Sequence, residues 1–370
     1  MAITIPGMAS FMEETKIELD VETSDEAVEQ EVEAVEASDA AEEVQEEVAE
    51  NAGDVAEAEM LNRIFDQCER MEAYVNKYGV DRQFLFMNNM NGELSNMLGI
   101  SLPACESFDV TGDPKSSTSI ACCEGFKEIA KKAWDYIKSI FKKIGAFFSR
   151  GWEAIKRRFF SLESNIGRLR KMYEDRQPDD EKLKKAKGSV VSPALLKKIA
   201  VEIGTTDGVI EEETRRLSSA TSNLREMQGA SATEAFSKIS EKIDEVSKQI
   251  DKQKALIKSD RKESNLAKVA WGDVPNLLNA AADIVKFKIK MDQRLNSCKR
   301  YADDKVREAE SLANMKEEGA DNTVKQARRA AGLWSRYSSL IGKEITLLME
   351  AGGECVKCAS QRIAAGSKKV

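Results

Sequence analysis

Residues 126–160, FKEIAKKAWDYIKSIFKKIGAFFSRGWEAIKRRFF, constrain the fold more than any other part of the chain. Apolar side chains recur mostly at steps of three and four: Phe126, Ala130, Ala133, Ile137, Ile140, Ile144, Phe148, Trp152, Ile155 and Phe159. That spacing draws one continuous apolar stripe along a helix, which Trp134, Phe141, Phe147 and Phe160 widen. The other faces carry Lys127, Lys131, Lys132, Lys138, Lys142, Lys143, Arg150, Lys156, Arg157 and Arg158, opposed only by Glu128, Asp135 and Glu153. A helix of this kind buries its broad aromatic face in partner helices, in a membrane surface or in a target protein. Its charge favours contact with a polyanion or an acidic protein.

The opposite electrostatic pole lies upstream. Between Glu13 and Glu59 there are 20 acidic residues and one basic residue, Lys16. The chain as a whole nets −8, so the remainder outside that −19 segment nets +11. A stretch of Glu, Ala, Val and Asp without aromatics buries little apolar surface, and it is expected to be disordered or loosely helical. It reads either as a solvating tail or as a shield that masks the basic helix until it is displaced.

Composition narrows the chemistry. The chain of 370 residues contains no histidine, which removes Ser–His and Cys–His nucleophilic catalysis and every histidine-containing metal site. No phosphate-binding glycine loop is present. Cys355 and Cys358 form a CxxC, but no second such pair completes a zinc site, and neither a cofactor nor a metal is expected. Seven irregularly spaced cysteines fit a reducing compartment, and no run of 18 apolar residues reads as a membrane span.

The expected fold is all-α: an elongated antiparallel helical bundle or set of coiled-coil hairpins, with a long basic amphipathic helix and a disordered acidic tail. Residues 1–57 are the tail and 58–102 a short helical segment. Residues 103–124 form a linker marked by Pro103, Gly112 and Pro114. The basic aromatic helix occupies 125–177. The bundle occupies 192–350, opened by Ser192–Pro193 as N-cap and first helical residue. Residues 351–370 are a second tail.

Glu106-Ser-Phe108, Gly112-Asp-Pro114, Ile120-Ala121 and Glu124-Gly125, leading into a basic Trp/Phe-rich helix, resemble internal head or prohead core proteins of large tailed bacteriophages. The resemblance covers about residues 100–165. It implies a non-enzymatic virion protein, made in the host cytoplasm and packed in the head interior with capsid and core proteins. It further implies trimming by a prohead protease, which in such phages cuts after glutamate with a small residue following. Glu106 before Ser107, Glu124 before Gly125 and Glu350 before Ala351 are similar to that pattern, with Glu163 a weaker fourth. The basic remainder would then contact DNA non-specifically or the capsid, with self-association open. The alternative is a membrane-surface protein that uses helix 126–160 at the interface.

Overall fold

Helices, as the spacing predicts, make up nearly all of the described residues. The computed structural model describes residues 39–97, 112–185, 187–225, 230–265, 271–313 and 320–369. In chain order the helices are α1 (Asp39–Tyr78), α2 (Arg82–Met97), α3 (Ser117–Lys131), α4 (Ala133–Glu174), α5 (Asp180–Lys185), α6 (Pro193–Ala220), α7 (Ala230–Asp260), α8 (Val274–Val285), α9 (Phe287–Ala313) and α10 (Ala320–Gly366). Two short antiparallel ribbons tie the ends. β1 (Arg176–Pro178) pairs with β4 (Ser367–Lys369), and β2 (Lys187–Val190) pairs with β3 (Lys262–Asn265).

The two longest helices, α4 and α10, are the spine. Gly342 of α10 faces Phe147 of α4, and Gly352 faces Leu162, so they run parallel. α9 returns along α4, with Gly145 against Ala302 and the Lys299 amine 3.2 Å from the Ser149 hydroxyl. α1 lies antiparallel to both spine helices, meeting Gly342 with Val48 and Gly332 with Asn62. α10 is buried on nearly every side, including Trp334, Tyr337, Ile341, Leu348, Cys355 and Ile363, as a helix enclosed by α1, α4, α7 and α8 must be. A smaller second core joins Ile64, Phe65, Met71 and Val75 of α1 to Phe84 of α2 and to Cys122 and Phe126 of α3.

Several expected boundaries move. α1 begins at Asp39, inside the segment read as a tail, and only residues 1–38 of that segment lie outside the described residues. The basic helix is two helices broken at Lys132, and α3 starts at Ser117, inside the expected linker. The C-terminal tail is absent as such: α10 runs to Gly366 and buries Ala351, Val356, Ala359 and Ile363. The bundle is also not purely antiparallel, because α7 runs parallel to α10, pairing Asp244 with Arg336, Asp251 with Lys343 and Glu350 with Lys258.

Candidate functional site: an acidic helix seated between basic helices

α1 carries carboxylates at Glu47, Glu50, Asp54 and Glu57, steps of three and four that set them on one flank. Two cations of α4, seven residues apart and therefore also on one face, meet them. Arg150 lies 3.1 Å from Glu47 and 2.7 Å from Glu50. Lys143 lies 2.9 Å from Asp54 and 2.7 Å from Glu57. On the other flank, Glu59, Asp66 and Glu69 face α10: Glu59 is 3.7 Å from Arg336, Asp66 is 3.5 Å from Arg328, and Glu69 is 2.7 Å from Lys325 and also pairs with Arg328.

These pairs differ in weight. Those of Lys143 and Arg150 are solvent-exposed, and such pairs contribute roughly 0–1 kcal/mol each. They fix register and charge more than stability. Arg328 is 2% exposed and its guanidinium lies 5.0 Å from the Phe65 ring centroid, so the cation is desolvated while its partners Asp66 and Glu69 stay partly in water. Adhesion comes mainly from the apolar seam. Val44 and Ala58 join the main core, and the Tyr136 hydroxyl donates to the Ala58 carbonyl at 2.5 Å.

Of the ten basic residues expected to contact a polyanion or membrane, the structure brings Lys143 and Arg150 together with the acidic helix. Lys132, Lys142 and Arg157 are exposed, while Lys138 and Lys156 pair within α4 with Asp135 and Glu153. Lys127 and Lys131 lie on α3, with side chains outside the described set. Arg158 departs from the expectation. It is buried at 7% exposure with Nη2 against Gly353, and burial pushes its pKa down, so it has no surface to offer a polyanion.

Phe126 sits in the smaller core, and Trp134, Ile137, Phe141, Ile144, Phe148, Trp152 and Phe159 are buried in the main one. The aromatic face is thus packed inside the fold rather than offered to a membrane. Among the described residues no helix is long and apolar enough to cross a membrane. Phe160, expected to widen the stripe, departs from it: it is exposed, with the Lys288 amine 4.4 Å from its ring centroid.

The candidate processing glutamates fall in three settings. Glu106 lies outside the described residues. Glu124 is exposed but within α3. Glu350 is within α10, 3.9 Å from Lys258, at a position where the helix is enclosed by the core.

Charge periodicity alone did not reveal Lys325, Arg328 and Arg336, because they stand far away in sequence. The signal available was the matched spacing of Asp66–Glu69 and Lys325–Arg328, three apart on each helix. Sequence reasoning also missed a polar cluster deep in the bundle. Arg294 of α9 pairs with Asp207 of α6 and lies 2.7 Å from Glu344 of α10. Burial raises Glu344 to about 7, with Arg294 opposing and Asp207 adding to the rise. For Arg294, burial lowers the pKa, and Glu344, Tyr337 and Asp207 more than offset it. The two rises have opposite causes: burial lifts the carboxyl of Glu344, whereas neighbouring carboxylates lift Arg294 against its own burial. Cys355 and Cys358 are buried thiols raised by burial, and no group of potential metal ligands occurs among the described residues.

The fold and this interface define an all-α protein whose most developed feature is internal neutralisation of one charged helix by another. A family model for phiKZ-like phage internal head proteins matches residues 16–270. That is more than half of the chain, and the chain belongs to this family of virion proteins located inside the phage head. No curated protein and no solved structure matches it.

Proposed function

We propose that this internal head protein is assembled in a closed form, with its own acidic helix α1 neutralising the basic faces of α4 and α10, and is opened by prohead-protease trimming. The observation that carries this reading is the seating of Glu47, Glu50, Asp54 and Glu57 on Arg150 and Lys143. Glu106 is the favoured cut. A protease takes extended backbone, and α3 and α10 would have to unwind at Glu124 and Glu350. Removing residues 1–106 discards a net −21 and leaves a remainder of net +13. That remainder would uncover Lys143, Arg150, Lys325 and Arg328, four cations suited to phosphate contact without base readout.

The experiment neutralises the shield without shortening the chain. Replacing Glu47, Glu50 and Glu57 by Gln and Asp54 by Asn should raise duplex DNA affinity at low salt about tenfold or more. The gain should fall steeply as salt rises, since each phosphate contact releases a counterion. Equal DNA affinity in the variant and the wild type would reject the shielding account.

A further inference from the structure

α1, α7 and α10 enclose a cleft of about 560 Å³ whose lining includes Arg63 of α1, Arg328, Arg329 and Arg336 of α10, and Thr233 and Ser240 of α7. Four arginines therefore line the cleft, three from α10 and one, Arg63, from α1, beside two lining carboxylates, Glu59 and Asp66. Two of the four are committed. Arg328 is held by Asp66 and Glu69, and Arg336 by Asp244, Ser240 and Glu59. Among the described residues no carboxylate pairs with Arg63 or Arg329. Arg329 has only a long hydrogen bond, 3.4 Å, from Nη1 to the Thr233 hydroxyl. Like charges gathered at a cleft repel unless an anion joins them, and here they come from helices that are far apart in sequence.

We infer that this cleft is a phosphate-binding site, with Arg63 and Arg329 gripping the anion from opposite walls and the Thr233 hydroxyl completing the cradle. The chemistry favours phosphate over a carboxylate. A guanidinium fork presents two parallel N–H donors, and two forks with a hydroxyl match a tetrahedral oxyanion with several acceptor oxygens. The volume is ample for a phosphate with its waters. Gly332 at the cleft floor lets α1 approach closely, because a side chain there would meet the Asn62 amide nitrogen at 2.5 Å. The bound anion would therefore bridge α1 to α10. The site exists in the uncut chain and does not depend on the shielding account: it uses none of the α4 contacts.

The test uses the full chain. Titration calorimetry with inorganic phosphate, at ionic strength matched with chloride, should give a saturable isotherm. Arg63→Gln/Arg329→Gln should weaken it at least tenfold. Thr233→Val, which leaves every charge in place, should weaken it several-fold and guards against a misfolded double variant, whose helicity is checked by circular dichroism. A short duplex DNA in a second arm distinguishes the sources of the phosphate. Displacement of inorganic phosphate by duplex assigns the site to the nucleic-acid backbone, and failure to displace assigns it to free phosphate or a monoester. Absence of saturable phosphate binding, or binding unchanged in both variants, overturns the inference.

Discussion

At the scale of single residues, Gly79 and Glu344 carry the clearest consequences. Gly79 ends α1 at φ +75°, in the left-handed region, and a Cβ there would sit 2.5 Å from the Asp113 carbonyl carbon and 2.6 Å from its amide nitrogen. These are backbone atoms that cannot swing aside. Gly79→Ala is expected to cost about 2 kcal/mol or more, from strain plus displacement of the 112–116 turn, read as a lowered Tm. Glu344 predicts a pH effect. Its pKa in the folded state, about 7, lies above the ordinary 4.5, so the folded chain holds an extra proton between those values. Stability from this group is therefore full below pH 4.5, falls as pH rises to about 7, and is constant above. Glu344→Gln removes that slope. Denaturant unfolding at pH 5 and pH 8 should show the variant losing less stability on going to pH 8 than the wild type does, by up to about 3 kcal/mol. An identical pH dependence in both proteins would contradict it.

At the scale of elements, α1 is a strap whose hold resides in its apolar seam. Phe65 is buried, with its ring centroid 5.4 Å from that of Tyr136 and beneath Arg328. Phe65→Ala should cost about 3–5 kcal/mol by opening a cavity in the smaller core. Hydrogen exchange should then quicken across residues 39–78 while α6 and α9 stay protected. Exchange unchanged in α1 would show that the strap is held by its ion pairs instead. The same seam explains what the sequence did and did not disclose. α4 was legible because its apolar stripe repeats at helical spacing, and a stripe that wide belongs in a core. The start of α1 was not: residues 39–57 have the composition of a disordered tail, and the α4 face on which they pack, with Lys143 and Arg150, stands about ninety to a hundred residues downstream. The end of α10 was misread for a related reason. Gly352 and Gly353 look like helix breakers, yet here they permit close packing, since a Cβ on Gly352 would meet Leu162 at 3.2 Å. The interface of α1 with α10 and the Asp207–Arg294–Glu344 cluster were illegible because each joins residues whose proximity only the tertiary fold creates.

At the scale of the molecule, membership of the phiKZ-like internal head family and the polarised charge fit together. A chain that is net acidic as made, with its basic faces covered, has little attraction for nucleic acid, whereas the same bundle without residues 1–106 is strongly basic. A cut in the segment before Gly112 would take Ile64, Phe65, Met71, Val75 and Phe84 out of the smaller core, and one at Glu350 would open the main core. The latter would strip Cys355, Val356, Ala359 and Ile363 out of the main core, whereas the former leaves α4 and α6–α10 connected. The central claim, that trimming removes the acidic strap, is tested most directly by mass spectrometry of the termini of this protein taken from purified phage heads. The account predicts a mature N-terminus at Ser107 and no peptides from residues 39–78. Recovery of those peptides at the same yield as peptides from α4 and α10 would contradict it and give α1 a permanent place in the finished particle.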